Sequence, residues 1–363
     1  MSNPAATPLV SVVMPMYNQR QRLDATMRSI CRQTYKNLEV IIVNDGSTDN
    51  SPSIARAWAA RDSRVRVIDK HNEGAILARR DGYRQAKGEF ITFVDSDDLL
   101  PTDAIAILAG HIIAHDVDLV IGSMTRKLGF INQSHIDRFL TFPFDTVVAQ
   151  PELFDKYYLG FFRNNIIPVS MCARLYRKSA LDRAWEATAL FDEQVTLMGE
   201  DQFFNLKLFP YLRSMYRTDE TVYIYRYGGG TNRFNPNFTQ LFVSSDKRLQ
   251  LLDQYNYDAG YEPLFAEYVA CLYFYASRLI SCQVADRQGV IDFFRDEVEH
   301  RQLMPRLMDY YREHGTADER VRLLLTRDYD AMYRYANDMI QQHRASFKSK
   351  LRSLAINILK RFP

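Results

Sequence analysis

Between residues 9 and 124, short runs that are apolar throughout alternate with amphipathic stretches of helical spacing. Leu9–Met14, Leu38–Val43, Val65–Ile68, Phe90–Val94 and Leu119–Ile121 read as strands. Arg22–Arg32, Ser53–Ala60 and Ala75–Ala86, which lie between the first four of them, read as helices. A strand with no polar face needs cover on both sides, and intervening helices supply it. The pattern predicts an α/β fold with a mainly parallel central sheet.

After residue 124 the signal changes. Residues 125–170 are aromatic and broken by Pro143, Pro151 and Pro168, and residues 171–235 return to mixed short elements ending at Gly228–Gly230. From 239 to 345 the spacing is helical, with Phe265, Tyr268, Tyr275 and Leu279 on one stripe of the kind that forms a core. A domain boundary is expected near 237, dividing a 1–237 domain from a helical C-terminal region over 238–345. The tail 346–363 carries Lys348, Lys350, Arg352, Lys360 and Arg361 with no acid, and a helix there aligns Phe347, Leu351, Leu354, Ile358 and Phe362. Such a segment suits an interfacial helix drawn to anionic lipid, or a terminal helix docked on its own protein.

Composition removes several function classes. Lys and Arg number 46 against 44 Asp and Glu, a net charge of +2, so there is no broad basic field for nucleic acid. The four cysteines show no CxxC spacing, which predicts reduced, mostly buried thiols rather than a disulfide framework. Met1–Pro8 lacks the apolar stretch of a signal peptide, and no run approaches the roughly 20 apolar residues of a membrane span. A cytoplasmic protein is expected, with attachment to a membrane face left open.

Ligands of open parallel sheets bind at the carboxyl ends of the strands. Here those ends carry Tyr17-Asn18, Asn44-Asp45-Gly46 and Asp95-Ser96-Asp97-Asp98. The first crossover reads Met14-Pro15-Met16-Tyr17-Asn18, without GxGxxG, and GxxxxGK[ST] occurs nowhere. Dinucleotide-dependent hydride transfer and P-loop phosphoryl transfer are therefore disfavoured. If the chain stays extended, Asp95 and Asp97 face the same side. Two carboxylates held that close call for a cation or a donor-rich ligand, with a hard divalent ion that also takes phosphate oxygens as the natural occupant and simple capping as the structural alternative. Asp98 is expected to point away or to cap the helix after Pro101. Glu200-Asp201 precedes an apolar helix, where the dipole alone accounts for an isolated acidic pair.

The segments PMYN (15–18), VNDGSTD (43–49), NEGAILARRDGYRQAKGEFITFVDSDD (72–98) and GED (199–201) stand in the order of a known family. In them the chain resembles a family 2 glycosyltransferase of the GT-A (nucleotide-diphospho-sugar transferase) fold, bacterial surface-polysaccharide type. The likeness covers 9–98 closely and 172–230 more loosely, and leaves the helical third uncovered. It implies a donor half over 9–124 and an acceptor half over 125–237. It implies that Pro15 and Tyr17 border the nucleobase and that Asp45 accepts the imide N–H of the base, which uracil and thymine offer and cytosine does not, so that a UDP-sugar is the expected donor. Arg79 approaches the nucleotide, Asp95 takes the ribose hydroxyls beside Ser96, and Asp97 holds Mn2+ or Mg2+ against the diphosphate. Asp201 becomes the general base, supported by Glu200. Gly74 and Gly82 read as turn and close-packing glycines.

Two departures stand out: Arg80 where many relatives have Asn, and a 225–231 segment without histidine, where Arg226 is left to supply positive charge to the donor. The implied reaction is inverting transfer to a hydroxyl of a glycan or lipid-linked glycan, in the cytoplasm or at the inner membrane face through 346–363. The absence of QxxRW and of membrane spans disfavours processive synthesis. The alternatives are a metal-dependent nucleotidyltransferase, which releases pyrophosphate, and a non-catalytic sugar-nucleotide-binding scaffold.

Overall fold

The computed structural model describes residues 7–128, 131–133, 142–158, 170–191, 200–226 and 239–342. The tail 346–363, the glycine run 228–230 and part of the 125–170 segment lie outside the described residues. The chain forms two compact units, Met1–Asn235 and Pro236–Pro363.

In the first unit, β1 (Val10–Met16), β2 (Leu38–Asp45), β3 (Val65–Lys70) and β4 (Phe90–Phe93) alternate with α1 (Leu23–Cys31), α2 (Ser51–Arg61) and α3 (Ala75–Gln85). There follow α4 (Ala104–Ala114), β5 (Leu119–Leu128), β6 (Ile131–Gln133), β7 (Val147–Ala149), β8 (Arg174–Arg177), α5 (Lys178–Ala187), α6 (Glu200–Leu208) and β9 (Ser214–Arg226). The sheet order is β3-β2-β1-β4-β8-β5-β9-β7, with β6 paired to β5. Strands β3, β2, β1 and β4 are parallel, β8 runs antiparallel between β4 and β5, and β9 is parallel to β5. The mainly parallel sheet is the one the apolar runs predict. The antiparallel β8 is too short and too polar, as Arg-Leu-Tyr-Arg, to announce its direction.

All seven residues of β1 are buried, and the reason is cover on both faces. Val10, Val12, Met14 and Met16 pack with Leu23, Met27 and Ile30 of α1. On the other face α3 lies so close that a Cβ on Gly82 would stand 2.5 Å from Val13 Cγ1 and 3.1 Å from Val43 Cγ2. That close approach fixes α3, and with it Arg79 less than one turn earlier. The four cysteines are free: Cys172 is buried, Cys31 and Cys271 half-buried and Cys282 exposed.

The second unit is helical: α7 (Thr239–Tyr255), α8 (Tyr261–Ser281), α9 (Arg287–His300), α10 (Leu303–His314) and α11 (Glu319–Thr326), with a further helical run over 329–342. The stripe on α8 forms its core, Phe265, Tyr268, Tyr275 and Leu279 all being under 9% exposed. Within it Arg301 on the α9–α10 connection binds both Glu297 and Asp246. No described helix is long and apolar enough to cross a membrane.

Candidate active site

The carboxyl ends of β1 and β2 are tied together by Asn18, which adopts a left-handed backbone (φ 53°) that asparagine tolerates. Its Oδ1 accepts from the N–H groups of Thr48 and Asp49 at 2.8 and 3.2 Å. Beside it Tyr17 is 47% exposed, whereas Pro15 is buried within β1 opposite Val43. Asp45 ends β2, only 3% exposed, and its two oxygens accept from the N–H groups of Glu73 and Gly74 at 2.9 Å each. Each oxygen keeps a second lone pair for a ligand donor. The turn after it requires glycine: Gly46 has φ +71°, and a Cβ there would meet the backbone nitrogen of Asn72 at 2.7 Å.

Arg79, on the buried face of α3, gathers the carboxylates. Its Nη2 donates to Asp95 Oδ1 and its Nη1 to Glu200 Oε1, both at 2.8 Å, and Nη1 stands 3.8 Å from Asp201 Oδ1. The guanidinium is nearly enclosed, while Asp95, Glu200 and Asp201 keep 36%, 18% and 30% of their side chains exposed. Burial works against the arginine's charge, and Asp95, Asp201 and Glu200 together more than reverse that. Burial raises the Asp201 carboxyl above the ordinary range, with Asp95 adding to it and Arg79 opposing. Glu200 is raised by the same burial, Arg79 again opposing and Asp201 adding. Asp201 Oδ1 is buried without a hydrogen-bond partner. An unpartnered carboxylate oxygen beside a guanidinium is a proton acceptor waiting for a donor.

The turn after β4 departs from the extended geometry expected for it. Asp98 N–H donates to Asp95 O at 3.1 Å, closing a turn that sends the Asp95 and Asp97 carboxylates to different cations. Asp95 binds Arg79, while Asp97 faces Arg22 at the start of α1, Oδ2 lying 3.7 Å from Nη1. The like charges still feel each other: burial and then Asp95 raise Asp97, with Arg22 opposing. Asp98 does not cap α4. It is buried, accepts from Tyr223 Oη at 2.9 Å and from the N–H of Arg226 at 2.8 Å, and burial followed by Asp95 pushes it up to about 8. Ser96 is buried, and its carbonyl accepts from Thr26 Oγ1 at 3.0 Å. Arg226 acts as a clip between elements: its guanidinium donates to the carbonyl of Asp97, to Thr26 Oγ1 at 2.8 Å and to Arg22 O at 3.2 Å.

Three contributors escape a sequence reading. Tyr223 and Cys172 are buried beside the Asp95 turn, and Arg174 on β8 donates to Asn205 Oδ1 at 2.5 Å. Asn205 Nδ2 donates in turn to Asp201 O at 2.6 Å, which fixes the first turn of α6. Arg174 is fully buried, and a guanidinium cannot sit in a core without such a partner.

The residues fit a divalent cation in one respect that matters. A diphosphate entering a cluster of Asp95, Asp97, Glu200 and Asp201 brings further negative charge, and Asp97 offers a hard oxygen whose nearest guanidinium stands off at 3.7 Å. Among the described residues no three metal-ligating side chains converge.

Comparison with known proteins agrees with this architecture. Residues 11–185 match the glycosyl transferase family 2 model. The glycosyltransferase EpsJ of Bacillus subtilis, uncharacterized, is 34% identical over 222 residues, 60% of this chain and 61% of EpsJ. GlyG of Streptococcus pneumoniae is 46% identical over 116 residues, 32% of this chain and 38% of GlyG. The matched stretch therefore spans about three-fifths of one relative and under two-fifths of the other. Among solved structures, S. aureus TarS 1-349 in complex with UDP-GlcNAc superposes with a TM-score of 0.62 at 19% identity, over 92% of each chain. That likeness is one of fold, and the α/β, mainly parallel sheet followed by helices is the GT-A arrangement expected from the motifs. With strand order, motif order and family model in agreement, residues 11–185 form a glycosyl transferase family 2 domain.

Proposed function

We propose that the protein transfers a sugar, with inversion, from a nucleoside-diphosphate sugar to a hydroxyl of a glycan or lipid-linked glycan. One observation carries this reading: Arg79 draws Asp95, from the donor edge of the sheet, and Glu200-Asp201, from a helix that starts 121 positions after Arg79, onto a single guanidinium. Donor and base are thereby held within one cluster. That TarS was crystallised with UDP-GlcNAc, and that Asp45 suits an imide N–H, supports a UDP-sugar.

In this mechanism Asp201 takes the proton of the acceptor hydroxyl as its oxygen forms the new bond to the anomeric carbon. The bond from that carbon to the diphosphate oxygen breaks, and the nucleoside diphosphate leaves with the electron pair from the opposite face. Glu200 keeps Arg79 in place, Asp95 engages the ribose, and Tyr17 and Pro15 border the base. Asp97 would hold Mn2+ or Mg2+, which supplies Lewis-acid stabilisation of the departing diphosphate.

Asp97→Ala is expected to abolish the metal-dependent part of UDP-sugar binding. Calorimetric titration of UDP-sugars with Mn2+ and with EDTA checks this, and equal affinity in all arms removes the metal from Asp97. The pH dependence has a definite sign. Burial raises Asp201, so the base is protonated and idle below its pKa, and kcat/KM climbs with pH through a limb above the ordinary value of 3.8. Glu200→Gln removes a neighbouring negative charge and frees Arg79 to favour the Asp201 anion, which moves the limb to lower pH. A limb that stays put under E200Q argues that another group titrates.

The basic segment 346–363 is proposed to draw the protein to an anionic membrane face. Deleting it should abolish sedimentation with anionic liposomes and spare transfer in solution; sedimentation that survives the deletion excludes this segment as the anchor.

A further inference from the structure

β9 reaches the donor edge of the sheet at a place the family motifs do not mark. Leu99 and Ile224 exchange backbone hydrogen bonds of 3.1 and 2.9 Å, pinning the outgoing end of the Asp95–Asp98 turn to β9. One residue earlier, Tyr223 is 1% exposed. Its hydroxyl donates to Asp98 Oδ2 at 2.9 Å and accepts from the backbone N–H of Asp95 at 3.1 Å, with the Cys172 thiol as a further hydrogen-bond neighbour. One oxygen thus touches the first and last residues of the turn that carries Asp97 between them.

We propose that Tyr223 is the positioning residue for the diphosphate end of the donor site: its hydroxyl sets the spacing of the Asp95 and Asp97 carboxylates before a ligand arrives. This rests on the donor reading proposed above. The physical need is clear from the turn itself, where Asp95 and Asp97 stand two residues apart and repel each other, which favours opening. A phenol on a sheet strand is a rigid anchor against that opening, because its ring has few rotamers and is packed on all sides. Arg226, three residues on, holds the same turn through the other oxygen of Asp98 and the carbonyl of Asp97, so the clamp is two-point. Removing the hydroxyl leaves a buried N–H and a buried carboxylate oxygen without their partner, and the turn relaxes to recover solvent.

The test is Tyr223→Phe, with Tyr216→Phe as control, since Tyr216 lies on the same strand and its hydroxyl binds Asp145 at 2.9 Å, away from the turn. Titration with UDP and Mn2+ is expected to show Y223F about 10–100-fold weaker than wild type, the range seen when groups supporting a metal ligand are removed. The donor KM should rise by the same factor, kcat at saturating UDP-sugar and Mn2+ should hold, and Y216F should bind as wild type does. Y223F that binds UDP and Mn2+ like the wild type, or that loses kcat at unchanged KM, overturns the proposal. Should Y223F fail to fold, Asp98→Ala removes the acceptor and keeps the phenol; the same fall in affinity is expected, and unchanged binding again overturns it. Wild type that binds no UDP with or without Mn2+ brings down the donor reading and this inference together, an outcome distinct from equal binding by wild type and Y223F.

Discussion

Asp201→Asn should leave a folded protein that binds UDP-sugar close to normally and turns it over at least about 10²–10⁴-fold more slowly, the range a positioned general base contributes. Asparagine matches aspartate in shape and keeps an oxygen to accept from the backbone of Met171, and Asn205 Nδ2 still donates to Asp201 O at 2.6 Å. Arg79 loses a carboxylate 3.8 Å away but keeps its two 2.8 Å bonds to Asp95 and Glu200, so the cluster stays assembled. What goes is the oxygen that is buried without a partner and free to accept a proton. Turnover measured beside equilibrium donor binding separates the outcomes. Wild-type turnover removes Asp201 from the chemistry, and parallel losses in affinity and rate make it a donor contact. Glu200→Gln is the internal comparison: its amide oxygen still accepts from Arg79, so it should fall well short of the D201N loss.

Much of this was open to a reading of the sequence, for a physical reason. Parallel strands covered on both faces are apolar at every position, so β1, β2 and β4 stand out, and the polar residues that end them mark the ligand edge. Gly82 was readable as a packing glycine because the approach of α3 to β1 leaves no room for a Cβ. Illegible were the pairings across long separations. Nothing local to Arg79 names Glu200 as its partner, and the alternation rule for Asp95 and Asp97 fails because Asp98 folds back into a turn. Arg226 reads as a free cation near the donor, yet its guanidinium hydrogen bonds go to Asp97 O, Thr26 and Arg22 O. Burial of that kind is a product of the tertiary fold, and no one-dimensional pattern carries it.

Arg79→Met should be the most damaging single change to both stability and activity. Arg79 is 4% exposed, and its guanidinium bridges Asp95 and Glu200, with Asp201 at 3.8 Å. Methionine fills much of the volume, but three carboxylates then face one another in a half-buried site with no cation. Breaking a buried pair from one side costs about 3–5 kcal/mol; because the carboxylates remain partly open to water, the lower end applies here. The loss should depend on pH with a known sign. Without Arg79 the native-state carboxyls of Asp201 and Glu200 are raised further above their unfolded values, so the native state binds more protons, and stability falls as pH rises through the raised pKa. The gap between R79M and wild type should therefore widen toward neutral pH and narrow in mild acid, as urea unfolding at a series of pH values will show. Arg79→Lys distinguishes charge from geometry: one ammonium restores a positive charge but lacks the fork that reaches Asp95 and Glu200 at once. R79K should recover most of the stability at neutral pH and little of the transfer activity. Full recovery of transfer by lysine means that charge alone suffices at this position, and a pH-independent R79M deficit means that the carboxylates were never held together by this arginine.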